Sequence, residues 1–230
     1  MPVGRLARPE AAPGREVAAE ASVPRAEQVA DDRVAIAVAA TASGQALAAL
    51  LRELPGCLEA VGGIATVECQ FDLALVSARD FLAAVDAAIS AASWDHVRPG
   101  RVLDVPVAYG DAAGPDLDSV CRALDLTRTE FVRRHTGREY KVAMLGFTPG
   151  FAYLDGMAES LACPRRDTPR QWVAAGSVGI AGHRSGLYAL AGPGGWQIIG
   201  RTSLELFDPS AAKPFRLGAG DRIRFVAADA

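Results

Sequence analysis

The chain has 230 residues, half of them hydrophobic and 22% charged, with a formal net charge of −3. That is the balance of a globular chain long enough for one large domain or two modest ones. No apolar run approaches the roughly 18 residues of a membrane-spanning helix, and so small a net charge gives no electrostatic footprint for nucleic acid.

Residues 1–30 are rich in Ala, Pro, Arg and Glu and carry no sustained apolar periodicity, which predicts a disordered extension. The extension lacks the apolar core of a secretory signal, so a cytoplasmic location is expected. A small α+β unit is expected over 31–95. Arg33–Ala40 reads as a strand. Ser43 can cap a helix over Gln45–Leu54, in which Leu47, Leu50, Leu51 and Leu54 recur at helical spacing. Cys57–Val61 and Ile64–Phe71 flank Gly62-Gly63 as a hairpin, and a second helix follows over Ala78–Ala92. The order strand, helix, strand, strand, helix is that of a split, ferredoxin-like unit, to which a structural or docking role is assigned.

Trp94–Arg101 is polar and broken by Pro99-Gly100, a natural domain boundary that holds His96 as a loop histidine. Beyond it, Val102–Tyr109 reads as a strand and Leu117–Leu124 as a helix capped by Asp116. Thr127 and Glu130 stand in capping-box spacing ahead of another helix. That helix ends near Gly137, which places His135 in its last turn, where a cation is favoured by the helix dipole. From Tyr140 to Phe225 short apolar runs alternate with glycines, the pattern of a compact strand-rich domain over 102–228. Twelve of the 23 glycines fall between Gly137 and Arg201.

The same stretch holds the chemistry. Seven basic residues face four acidic ones between Arg138 and Arg201, which suits an anionic small molecule. Arg165, Arg166 and Arg170 form a guanidinium cluster fit for carboxylate or phosphate; the alternative is pairing with Asp167 or another chain. Gly146–Phe151 reads as a rigid loop presenting aromatic side chains. The four cysteines stand far apart in sequence without a neighbouring metal-ligand pattern, and neither a phosphate-loop nor a GxSxG nucleophile motif is present.

GFTPGFAYL, the box Pro164–Arg170, AGSVGIAG and GPGGWQIIGRT resemble the family of the B subunit of bacterial ATP-dependent 5-oxoprolinases, which includes sensor-kinase inhibitors and the matching domain of urea carboxylase and allophanate hydrolase systems. The resemblance runs from about Val105 to Phe225. It departs in the N-terminal half, where the family's GDxAL-type opening survives only as Asp32-Arg33-Val34-Ala35 and a hairpin tyrosine is missing. The resemblance implies a cyclophilin-like β-barrel and ATP-dependent opening of 5-oxo-L-proline to L-glutamate. It implies the homologous C and separate A subunits of that enzyme as partners, with ATP and Mg2+ shared among them. Arg165, Arg166 and Arg170 would then stabilise phosphoryl charge, with Ser177 and Arg201 as further ligand contacts. His135 and Lys141 are the candidates for proton transfer or catalysis. Phe147, Pro149, Phe151, Tyr153 and Trp196 are expected to line the loop and an interface with a partner. The alternatives are a regulator of a sensor histidine kinase and an accessory subunit of a urea carboxylase system.

Overall fold

The computed structural model describes residues 25–38, 41–63, 65–91 and 100–228. His96, most of the expected 92–102 boundary and residues 1–24 lie outside the described residues.

The first half contains β1 (Ala26–Ala30), β2 (Arg33–Ala37), α1 (Thr41–Leu51), β3 (Cys57–Gly62), β4 (Thr66–Phe71) and α2 (Ala78–Ala91). The strands form an antiparallel sheet in the order β1-β2-β4-β3. Alternation decides its buried face: Val34 and Ile36 of β2, with Val67, Cys69 and Phe71 of β4, point to one side. Leu47 and Leu51 of α1 and Phe81, Val85 and Ile89 of α2 cover them. The rings of Phe71 and Phe81 stack at 4.6 Å.

Three expectations change here. Strand β1 lies in what the composition marks as disordered extension. AEQVA has no apolar alternation because an edge strand needs only its backbone groups to pair. Helix α1 starts at Thr41, so Ser43 lies in its first turn instead of ahead of it. Two cysteines that look isolated in sequence meet across β3 and β4, with Cys57 Sγ 3.3 Å from Cys69 Sγ. Burial, with Cys57 beside it, pushes the Cys69 thiol up to about 12.

The second half contains β5 (Val102–Tyr109), α3 (Leu117–Ala123), α4 (Arg128–Thr136), β6 (Glu139–Leu145), β7 (Ala152–Asp155), β8 (Arg170–Val173), β9 (Ser177–Ala181), β10 (Arg184–Leu187), β11 (Gly192–Gly194), β12 (Gln197–Arg201) and β13 (Arg222–Ala227). Seven strands close a barrel in the order β10-β7-β6-β13-β5-β12-β9. All neighbours are antiparallel except β13 and β5, which run parallel from Arg222↔Val102 to Ala227↔Val107. The β8–β11 pair stands apart as a two-stranded ribbon.

Inward-pointing Val105, Val107, Val142, Leu154, Val178, Ile180, Leu187, Ile199 and Ile223 fill the barrel. Leu117 of α3 and Phe131 of α4 belong to the same core. Thr127 Oγ1 accepts from the Glu130 N–H at 3.1 Å, as the spacing predicts. The other half of the capping box does not form, because the Glu130 carboxylate accepts instead from Arg133 and Arg134. Those hydrogen bonds hold its carboxyl down at about 2.

The residues that alternate with the barrel core matter more. Phe151, Val173, Ala181, Tyr188, Trp196 and Ile198 make a separate apolar cluster, with Tyr153 against it. Tyr153 lies between Ala152 and Leu154, and Ile198 lies beside Ile199. The barrel residues point in, and their neighbours point out. The cluster therefore coats the outer wall of β7, β10, β9 and β12, beneath the β8–β11 ribbon.

Candidate functional site

Two glycines let the outer wall accept rings. A Cβ at Gly186 of β10 would come 2.9 Å from both Phe151 and Trp196, and one at Gly194 of β11 would come 2.4 Å from the Tyr188 hydroxyl. Close approach, not turn geometry, is what those positions require. Phe151 meets Tyr153, Tyr188 and Trp196 edge to face at 4.7, 4.9 and 5.6 Å.

The rings line a hollow of about 260 Å³, formed by Phe147, Phe151, Tyr153, Tyr188 and Trp196 together with Arg165 and Pro169. A more open hollow of about 410 Å³ adjoins it, sharing Tyr153, Arg165 and Trp196 and adding Asp155, His183 and Arg184. The guanidinium carbon of Arg165 stands over the Trp196 ring, 5.9 Å from its centroid. Arg165 has no carboxylate partner among the described residues. It is an exposed cation over an aromatic floor, the arrangement that recognises a small anion with an apolar body. In the outer hollow Arg184 is paired with Asp155 at 2.6 Å.

The other two arginines of the box are committed elsewhere. Asp116, at 3% exposure, is among the few buried charged residues. Arg170 donates from Nη1 and Nη2 to Asp116 Oδ2 and Oδ1 at 2.8 and 2.6 Å, a bidentate fork, and Arg166 Nη1 adds a bond at 3.1 Å. The Ile198 N–H donates to Asp116 Oδ2 at 2.6 Å, and the Asp116 N–H returns a bond to the Ile198 carbonyl at 2.9 Å. Sequence spacing made Asp116 the cap of α3, but its side chain makes no capping bond. It turns instead to β12 and the arginine box. Neither Arg166 nor Arg170 pairs with Asp167.

The remaining expected residues disperse. His135 is completely buried. Tyr109 Oη lies 2.7 Å from its Nδ1 and Ser185 Oγ 3.3 Å from its Nε2, and the Phe225 ring stacks on it at 4.5 Å. Burial lowers its pKa to about 3, so the imidazole is neutral and is not the cation expected at the end of α4. Ser185 and Gly186 point to opposite sides of β10, so the barrel wall separates His135 from the aromatic hollow. Lys141 lies between fully buried Tyr140 and Val142 on β6, and faces outward beside Asp155 on the neighbouring strand. It lines neither hollow.

Ser177 and Arg201 are cross-strand neighbours. Ser177 is buried, and Arg201 Nε donates to the Ala175 carbonyl at 3.0 Å. Arg201 borders a different hollow, with Thr202 and Ser203. In the 146–151 loop, Phe147 is 62% exposed and has φ +69°, while Phe151 is buried. Pro149 is exposed and lines neither hollow. Another hollow, of about 770 Å³, opens near Phe207 and Phe215 and contains none of the expected residues.

Asp116, Tyr188, His183 and Arg184 are the site residues that sequence reasoning missed. The available signal for Asp116 was charge balance: three clustered arginines need a counter-ion, and it stands some fifty positions upstream of Arg166.

No group of three or more His, Cys, Asp or Glu among the described residues could hold a metal ion, so the described side chains assemble no site that fits Mg2+. No described helix is long and apolar enough to cross a membrane.

A closed seven-stranded barrel that carries a ring-lined hollow bordered by Arg165 defines a β-barrel protein. The chain belongs to the family described as carboxyltransferase domain, subdomain C and D, whose model matches residues 22–217. It is 48% identical over 126 residues to the B subunit of 5-oxoprolinase from Bacillus subtilis, which is 55% of this chain and 52% of that one. It is 52% identical over 126 residues to the B subunit of 5-oxoprolinase from Escherichia coli O157:H7, covering 55% and 58%. The aligned stretch thus spans little more than half the length of these relatives. Among solved structures, TTHA0988 superposes with a TM-score of 0.75 at 32% identity, covering 86% of this chain and 40% of that one. The urea carboxylase of Kluyveromyces lactis superposes at 0.69 with 19% identity, covering 90% and 22%. At that identity the likeness is one of fold.

Proposed function

We propose that the chain is a subunit of an ATP-dependent 5-oxoprolinase and binds 5-oxo-L-proline in the aromatic hollow. The observation that carries this is Arg165 over Trp196, joined to identity at about half the aligned positions with proteins named as the B subunit of 5-oxoprolinase. The carboxylate of the lactam pairs with Arg165. Its ring lies against Trp196, Phe151 and Tyr153, and the aromatic walls keep water from it. The hollow, at about 260 Å³, falls just below the usual range of roughly 300–1,000 Å³ and suits a single small ring. We read the first half as a ferredoxin-like domain and the second as a cyclophilin-like one.

ATP is the co-substrate that activates the poorly electrophilic lactam carbonyl. Its Mg2+ needs carboxylates that the described residues do not assemble, and the homologous C and separate A subunits complete the reaction. Within this chain the roles are binding and orientation. His183 and Arg184 border the outer hollow, where the reacting carbonyl of a lactam anchored by Arg165 would emerge. Such a complex works in the cytoplasm, where ATP is available.

The test is 5-oxoproline-dependent ADP release by the chain alone and after mixing with its partners. Activity is expected only on mixing, and Arg165→Ala is expected to raise KM for 5-oxoproline at least tenfold, the loss of one charge-assisted hydrogen bond. Full turnover by the isolated chain would sink the proposal.

A further inference from the structure

Three guanidiniums occur within six positions, yet the site presents one. Asp116 takes the bidentate fork of Arg170 and one arm of Arg166, and it is itself fixed by the Ile198 N–H. Arg165, one residue away from Arg166, is left over Trp196. The backbone supports the same arrangement, since the Arg166 N–H donates to the Gly195 carbonyl at 2.8 Å, next to Trp196.

We infer that Asp116 is a specificity-determining residue: by engaging the fork of Arg170 and one arm of Arg166 it leaves Arg165 as the free guanidinium of the site, which favours a ligand with a single negative charge, such as a carboxylate, over phosphate chains. A lone guanidinium matches one carboxylate. Three unpaired ones beside the hollow would favour di- and polyanions, because each added charge of the ligand would meet its own donor. The side chains of Arg166 and Arg170 are 35% and 24% exposed, and each stands next in sequence to a residue that lines the hollow, Arg165 and Pro169 respectively. Asp116 touches neither hollow and acts through the arginines. The inference rests on the aromatic hollow being the ligand site. It adds that the phosphates of ATP are bound away from the arginine box.

The experiment uses the full chain with Trp94→Phe and Trp172→Phe, so that Trp196 emission reports on the site. Sodium pyrophosphate and L-5-oxoproline are titrated separately at constant ionic strength. Pyrophosphate is expected to give no saturable response with Asp116 in place. With Asp116→Asn it is expected to bind at least tenfold more tightly, a gain that Arg166→Gln then removes and that Asp116→Glu does not reproduce. A folded Asp116→Asn chain with no gain overturns the inference. If Asp116→Asn does not fold, the parent chain still decides. Saturable pyrophosphate binding that Arg166→Gln or Arg170→Gln abolishes overturns it, and the absence of such binding supports it. The L-5-oxoproline titration answers separately whether the proposed substrate binds at all, so failure there leaves the charge restriction standing on its own result.

Discussion

At the scale of single residues, His135 shows how burial overrides local position. The last turn of α4 favours a cation, but the imidazole is enclosed by Tyr109, Tyr140, Phe131 and Phe225. Losing hydration disfavours its charged form. The neutral state has a measurable consequence. In the unfolded chain the imidazole protonates near its ordinary 6.5, whereas in the fold it does so only near 3. Between those values unfolding takes up a proton, so His135 makes stability fall as pH drops through that window, by up to about 1.4 kcal/mol per pH unit. Above 6.5 it contributes no pH dependence. Urea unfolding between pH 7 and pH 5, above the main carboxylate titrations, should be steeper in pH for the parent than for His135→Gln. Equal slopes would show that the imidazole is not held neutral. Asp116 teaches the complementary lesson. Its place before α3 invited a cap, and only the tertiary structure brings Arg166 and Arg170 to it.

At the scale of elements, much was readable wherever local pattern and burial agree. Strand β5 and helix α2 fall within a residue of the spans that the sequence pattern implies. Strand β1 did not announce itself because all but its first residue are exposed. The outer-wall cluster was only half visible. GFTPGFAYL and GPGGWQ supplied Phe151, Tyr153 and Trp196 but not Tyr188, and nothing in one dimension says that Phe151 and Trp196 share the outside of a barrel while Leu154 and Ile199 fill the inside. The 146–151 loop carries a further prediction. Phe147 holds φ +69° with its ring 62% exposed, a backbone state costly for a bulky residue and informative where it persists. Asn tolerates that conformation, so Phe147→Asn is expected to change the stability of the isolated chain by less than about 0.5 kcal/mol. The same change is expected to weaken, at least tenfold, binding to the C subunit. Differential scanning calorimetry and a partner titration separate the two effects. A chain that loses stability while keeping its partner would make Phe147 a packing residue instead.

At the scale of the molecule, the apolar residues fall into one core from Val34 to Ile89 and others drawn from Val105 to Phe225. The second group includes a closed sheet and its covering helices. A fragment of residues 100–228 is therefore expected to unfold cooperatively and to keep the native emission of Trp196, as judged by urea denaturation. A fragment with the emission of an unfolded chain would show that the two halves need each other. The barrel's seam has its own implication. Strand β13 slots between β5 and β6, and the ion pairs Arg101–Asp221 and Arg224–Asp104 bridge that seam across 120 positions. On a ribosome adding roughly 5–20 residues per second, β5 emerges on the order of ten seconds before its parallel neighbour exists. For that interval its backbone edge and the apolar side chains of Val105 and Val107 have no closing strand. The nascent chain thus presents an open sheet edge, the kind of surface that is prone to aggregate until its last strand arrives.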